Sequence, residues 1–259
     1  MRLIFIRHGD PDYVVDGLTE KGMTEASILA KHVRSLKLDD IYVSPLGRAS
    51  ETAKYSLDEL GANATVCDWL REFPAAFDPY KASGREKDAY TYRINKDTGR
   101  YETRILWDIL PSYYLDHPEL FDKDAWRSSK LVSYSDMPEV YDHVISEFDA
   151  LLAGYGYERE GAGYRVTCGN SKNIGFFCHF GITSVLLSRL WNISPFVPLQ
   201  FLAMAPTSVT EVVTEERQQG VAIFRALRIG DISHLFAEGE PPSFSARFCE
   251  RFENTDERH

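Results

Sequence analysis

The chain opens on a continuous apolar run, Leu3-Ile4-Phe5-Ile6, cut off by Arg7, His8 and Gly9. A short uninterrupted run of this kind is the pattern of a strand covered on both faces, as in a parallel sheet. Thr19 stands where it can cap a helix whose Ala26, Leu29, Ala30 and Val33 recur at helical spacing. Ile41-Tyr42-Val43 reads as a second strand, broken by Ser44-Pro45-Leu46-Gly47. A second helix then starts near Arg48, with Ala49, Ala53, Leu57 and Leu60 along its inner face. A short strand from Thr65 to Cys67 leads into Trp69-Leu70-Arg71-Glu72-Phe73, after which the strand and helix rhythm stops.

The rhythm resumes near Pro138, in the first turn of an amphipathic helix carrying Tyr141, Val144, Ile145, Phe148, Leu151 and Leu152. Ile174 to Cys178 is another buried strand with His179 at its carboxyl end, followed by a helix from Ile182 to Leu190 and late strands at Val209 to Val213 and Val221 to Leu227. The pattern predicts an α/β fold: a single three-layer α/β/α domain over residues 1–259, built around a mostly parallel sheet. The segment from about 74 to 137 is rich in Tyr, Trp, Arg and Asp and is expected to be an inserted cap subdomain that selects substrate. Within it, Arg93 to Tyr101 resembles two short strands around a glycine turn, and residues from about 231 to 259 are expected to form a C-terminal tail.

Composition changes the picture little. At 44% hydrophobic and 26% charged residues the chain has the make-up of a folded globular protein, so disorder and fibrous architectures are excluded. The formal net charge of -10 opposes binding to nucleic acid or an anionic membrane through the overall field, so any anionic ligand must meet a local cluster of cations. Cys67, Cys168, Cys178 and Cys249 form no CxxC pair and are read as reduced thiols. The apolar run at the N-terminus is too short for a signal segment or a membrane span, so the expectation is a cytoplasmic protein without nucleic-acid or membrane partners. A homodimer is left open.

Ligands of open α/β sheets gather beyond the carboxyl ends of the strands, where this sequence places polar residues. The first strand delivers Arg7, His8 and Gly9; the second, Ser44 and the turn into Arg48; a third is followed by Glu72; a fourth ends in His179-Phe180-Gly181. Imidazole can act as a nucleophile, guanidinium groups bind phosphate in forked geometry, and a carboxyl group can protonate a leaving oxygen. Such a set suits phosphoryl transfer without a metal, and neither His-x-x-x-His nor another pairing at metal-ligand spacing occurs. No cofactor is called for. Each residue has a plainer reading: surface ion pairs for Arg7 and Arg48, a turn for His8, a core position beneath Phe176 and Phe177 for His179, and a pair with Arg71 for Glu72. His32, His117, His143, His234 and His259 are assigned no role.

In Leu3-Ile4-Phe5-Ile6-Arg7-His8-Gly9, Leu18-Thr19-Glu20-Lys21-Gly22, Ser44-Pro45-Leu46-Gly47-Arg48-Ala49-Ser50-Glu51-Thr52-Ala53 and Cys178-His179-Phe180-Gly181, taken in that order, the chain resembles the histidine phosphatase superfamily, in its phosphoglycerate mutase-like branch. The resemblance implies that His8 is the phosphorylated nucleophile and that Arg7, Arg48 and His179 bind the phosphoryl group. Glu72 falls in the place of the proton donor, with Glu51 and Asp10 as rivals, and Phe180 is counted among the substrate contacts. Mutases of the family carry Ser and Trp-Asn shortly after Arg-His-Gly, whereas this chain has Asp10-Pro11-Asp12-Tyr13-Val14. The departure favours a metal-independent phosphatase acting on a small phosphomonoester over the alternative, a phosphoglycerate mutase-type phosphotransferase. A non-catalytic phospho-ligand or protein-binding module ranks below both.

Overall fold

The structure is a computed structural model that describes residues 1–245 and 251–254. β1 (Arg2–Arg7) is buried from Leu3 onward and leads into a hairpin of two short strands, β2 (Pro11–Asp12) and β3 (Gly17–Leu18). α1 (Glu20–His32) is capped by Thr19, whose side chain accepts a hydrogen bond from the Gly22 amide, and Glu20 lies in the first turn, where the helix dipole favours negative charge. β4 (Asp40–Val43), α2 (Gly47–Leu60) and β5 (Thr65–Val66) follow as the sequence predicts.

By its contacts the chain divides into two compact units: Met1–Glu72, Leu152–Thr183 and Ala203–His259 in one, Phe73–Leu151 and Ser184–Leu202 in the other. The second unit holds the paired strands β6 (Ala76–Phe77) and β7 (Arg104–Ile105), α3 (Pro111–Asp116), most of α4 (Met137–Gly154), most of α5 (Phe180–Trp191) and α6 (Phe196–Phe201). Its core is aromatic, with Trp126 edge-on to Tyr141 at 5.2 Å and Phe77 against Tyr90 at 4.4 Å. This unit takes in more chain than residues 74–137, because Tyr141 of α4 and Phe196 of α6 help to enclose Trp126. From Arg93 to Tyr101 there is one isolated bridge, Ile94 with Tyr101, in place of the two short strands expected; both residues are exposed, so no burial extends the pairing.

The first unit is built on an eight-stranded sheet completed by β8 (Tyr157–Glu160), β9 (Gly163–Val166), β10 (Asn173–Cys178), β11 (Val209–Gln218) and β12 (Val221–Asp231), in the order β5-β4-β10-β1-β11-β12-β9-β8. The pairings from β5 to β1 are parallel and those from β1 to β8 antiparallel. The α/β class read from the sequence is present, with an antiparallel flank whose outer hairpin, β8 with β9, the sequence reading does not contain. That hairpin alternates charged residues with only Tyr157 and Tyr164 buried, too faint an apolar period to recognise. Ile4, Ile6, Ile41, Val43 and Phe177 pack with Leu29 of α1 and Ala53 of α2 on one face. On the opposite face Phe5 stacks on Phe176 at 5.1 Å. The expected tail begins with a short helix, α7 (Ser233–Ala237); its residues 246–250 and 255–259, with Cys249 and His259, lie outside the described residues. No helix among the described residues is long and apolar enough to cross a membrane.

Two glycines let the loops close on the helices. A Cβ on Gly22 would lie 2.2 Å from the Asp10 carbonyl oxygen, and one on Gly47 would lie 1.9 Å from that of Asp16. The turn after β1 therefore rests on the first turn of α1, and the hairpin tip on the first turn of α2. Gly22→Ala should destabilise the protein by roughly 1–3 kcal/mol in urea unfolding, the usual cost of forcing an atom into a filled site. Gly154→Ala, which meets nothing within 4 Å, should be neutral or slightly stabilising; equal effects of the two would contradict the close-packing account.

Candidate active site

The four parallel strands share one carboxyl edge, and hydrogen bonds carry the ladder past their ends: the His8 amide donates to Cys178 O at 3.0 Å and the Ser44 amide to Phe177 O at 2.9 Å. β11 runs antiparallel to β1, so the loop before it arrives at the same edge. There the Arg7 amide donates to Ser208 O and the Thr207 amide to His8 O, each at 3.1 Å. Thr207 holds a left-handed φ of 57° to do so, an uncommon backbone for a β-branched residue.

His8 Nδ1 lies 2.7 Å from the Gly9 carbonyl oxygen. A carbonyl can only accept, so Nδ1 carries the proton and Nε2 keeps its lone pair. The His179 ring is 5.0 Å away between centroids, and its Nε2 is 2.7 Å from Ser44 Oγ. Ser44 Oγ also accepts from the Leu46 amide; a hydroxyl oxygen has two lone pairs, so Ser44 pairs with His179 Nε2 as donor or as acceptor according to the imidazole tautomer, and donation leaves the proton of His179 on Nδ1. Burial first, then the charges of Arg7, His179 and Arg48, hold the His8 pKa well below the usual histidine value. Burial, Arg48 and Arg7 push His179 down to about 2. Both rings are neutral at pH 7.

Arg7 and Arg48 are buried at 3% and 8% exposure. Arg7 Nη1 donates to Met204 O at 2.5 Å and to Ser245 O at 3.0 Å; burial works against its charge, while Tyr13, Glu72, Glu25 and Asp10 favour it. Arg48 Nη1 donates to Asp16 Oδ1 at 2.5 Å, and Asp16 Oδ2 accepts from the Gly47 amide at the start of α2. Arg7 Nε, Arg48 Nε and His179 Nδ1 are buried without a hydrogen-bond partner among the described residues. Two unmatched guanidinium N–H donors, with His179 Nδ1 as a third in the tautomer that protonates it, are complementary to a tetrahedral oxyanion.

Glu72 is half-buried, and its Oε1 accepts from the Ile182 amide in the first turn of α5 at 3.2 Å. Its rivals have structural tasks: Asp10 Oδ2 accepts from Thr19 Oγ1 and Glu51 Oε2 from the Leu18 amide, each at 2.8 Å. Phe180, at 2% exposure, begins α5 directly after His179. The structure thus groups Arg7, His8, Arg48 and His179, and the field of Glu72 reaches Arg7.

Several supporting residues carry no assigned role in the sequence reading. Thr52 Oγ1 accepts from the Gly9 amide at 2.9 Å and donates to Arg48 O at 2.8 Å. Fully buried Glu25 accepts from the Asp10 amide through one oxygen and from the Ser243 amide through the other, each at 2.9 Å. His234, to which no role was given, has its Nε2 3.1 Å from Thr207 Oγ1. Glu25 left a signal, a lone carboxylate beside the apolar stripe of α1, and Thr52 follows Arg48 by one helical turn. Thr207 and His234 left none, since Thr207 reaches the site through its backbone amide and His234 only through Thr207 Oγ1.

Residues 3–100 match the family model described as the histidine phosphatase superfamily (branch 1). Among curated proteins, a 2,3-bisphosphoglycerate-dependent phosphoglycerate mutase of Thermoplasma acidophilum is 32% identical over 98 residues, 34% of this chain; the chain spans 47% of that relative, about half its length. A putative phosphoserine phosphatase 2 of Hydrogenobacter thermophilus is 24% identical over 209 residues, covering 74% of this chain and 83% of the relative. Among solved structures, phosphoserine phosphatase of Entamoeba histolytica in complex with 3-phosphoglyceric acid covers 90% of this chain and 98% of its own, with a TM-score of 0.54 at 16% identity. A mycobacterial glucosyl-3-phosphoglycerate phosphatase solved with VO3 covers 88% and 98%, with a TM-score of 0.53 at 17% identity. These two likenesses establish a common fold. The match over residues 3–100 marks the N-terminal part of the chain, with the ordered residues at its strand ends, as similar to the histidine phosphatase superfamily.

Proposed function

We propose that the chain is a metal-independent phosphatase that hydrolyses a small phosphomonoester through a phosphohistidine on His8. The observation that carries the reading is that three buried nitrogens, Arg7 Nε, Arg48 Nε and His179 Nδ1, have no partner among the described residues, while the Nδ1 of His8 is committed to Gly9 O. His8 Nε2 attacks phosphorus in line while these donors hold the equatorial oxygens, and Glu72 gives its proton to the departing alkoxide. Glu72 then takes a proton from water as that water attacks phosphohistidine, which releases phosphate and restores both residues. Two guanidinium groups supply the charge a metal would bring, and they would repel one. Substrate selection by residues 74–137 and a cytoplasmic location belong to the same proposal.

A mutase remains the second reading because the N-terminal segment is similar to enzymes named as 2,3-bisphosphoglycerate-dependent phosphoglycerate mutases. The two are separated by offering 3-phosphoglycerate and measuring released phosphate against isomerised product. Excess free phosphate supports the phosphatase, and excess isomer the mutase.

The direct test is turnover of p-nitrophenyl phosphate in EDTA. His8→Ala should abolish both turnover and the acid-labile phosphoenzyme, and Arg48→Ala should lower kcat/KM by roughly 10²–10³, the scale of removing one preorganised donor. Full activity in His8→Ala, or a loss in EDTA restored by a divalent metal, would contradict the proposal.

The neutral state of the two rings has a consequence for stability. Their folded pKa values lie below the unfolded value of about 6.5, so their contribution is fully present above that pH and is lost as pH falls toward the folded values. As pH falls below about 6.5, the contribution of His179 to the decline in unfolding free energy should steepen toward about 1.4 kcal/mol per pH unit, and His8 should act in the same direction. His179→Gln should remove one proton's worth of that slope in urea titrations. An unchanged slope would place a charged His179 in the folded protein.

A further inference from the structure

The hairpin between β2 and β3 projects the sequence Tyr13-Val14-Val15, at 67%, 93% and 71% exposure, beside the arginine pair. Three consecutive exposed apolar side chains on a hairpin tip need a reason. The tip is fastened: Asp12 Oδ1 accepts from the Val14 amide at 2.9 Å, Asp16 binds the Gly47 amide and Arg48, and Glu51 holds the Leu18 amide. Asp10, Asp12 and Asp16 each have a carboxylate oxygen engaged within the protein, which leaves Tyr13, Val14 and Val15 as the groups the hairpin presents outward.

The Tyr13 ring lies over the Arg48 guanidinium, 5.4 Å from ring centroid to Cζ. Tyr13 therefore joins the exposed hairpin tip to Arg48, one of the two buried arginines. A phosphoryl group held by the arginines would place its ester oxygen, and the group attached to it, within reach of an aromatic face and two branched aliphatic side chains.

We propose that Tyr13, with Val14 and Val15, forms an apolar rim that binds the leaving group, and that this site takes phosphomonoesters whose alcohol is aromatic or otherwise apolar. The inference rests on the phosphatase reading for its use, but the binding it describes does not depend on turnover. Aromatic contact of this kind adds to affinity beyond the buried area, so the expected effect is about tenfold.

The test is calorimetric titration of the full chain with two non-hydrolysable probes, 2-naphthylmethylphosphonate and methylphosphonate. The wild type should bind the naphthyl probe at least about tenfold more tightly. Tyr13→Ala should reduce that preference to within about twofold, and the double variant Val14→Ser/Val15→Ser should reduce it in part. All three positions are exposed, so folding is not at stake. Equal binding of the probes by the wild type, binding of neither, or a preference untouched by both variants would overturn the proposal and point to the tip as a protein contact. A preference that follows Tyr13 in a chain releasing no phosphate from any monoester would support the rim and contradict the phosphatase.

Discussion

Two guanidinium groups, Arg7 and Arg48, are buried beside two imidazoles at the end of a parallel sheet, and much of the neighbouring structure serves to hold them there. Taking an ion out of water costs several kcal/mol unless it is paired and hydrogen-bonded. The protein meets that cost only in part. Arg48 has one carboxylate, Asp16, and Arg7 has two backbone carbonyls, with Glu72, Glu25 and Asp10 acting at longer range. What is left over is three buried nitrogens, Arg7 Nε, Arg48 Nε and His179 Nδ1, without a hydrogen-bond partner among the described residues, together with rings forced to stay neutral. In the proposed reaction an oxyanion would complete the pairing, and the same cations would stabilise charge as it develops on the phosphoryl oxygens.

The support for this arrangement is mostly backbone. Gly9, Asp10 and Ser243 donate amides to Thr52 and Glu25, Gly47 donates to Asp16, and Thr207 accepts a left-handed conformation to bond the His8 carbonyl. Fixed amides require loops to lie tightly on helices, which is why Gly22 and Gly47 face carbonyl oxygens at distances no side chain tolerates. The C-terminal segment joins the same network, with Ser243 on Glu25 and the Ser245 carbonyl on Arg7.

The parts legible in the sequence are those where one physical demand acts on a short stretch. Leu3-Ile4-Phe5-Ile6 and Ile174 to Cys178 are buried on both faces, so their apolar runs mark the sheet and place His8 and His179 at its edge. Thr19 marks its helix because a cap is a local interaction. The hairpin of β8 and β9 was hidden because its outer residues are charged and exposed, and only pairing with β12 makes it a part of the sheet. The second unit was legible only as a break in rhythm, since its core is made of aromatic contacts such as Trp126 with Tyr141 and Phe196, between residues far apart in the chain. For the same reason the pairings of Asp16 with Arg48 and of Thr207 with His8 could not be read from spacing.

Under the proposed function, Arg7 Nε, Arg48 Nε and His179 Nδ1 would be the ligands of an oxyanion whose central atom faces His8 Nε2. A crystal structure of the full chain with vanadate tests it most directly. The account requires vanadium within bonding distance of His8 Nε2, with the three donors at hydrogen-bond distance from its equatorial oxygens. Vanadate bound elsewhere, or held at this edge with His8 Nε2 turned away and those nitrogens still unmatched, would contradict it.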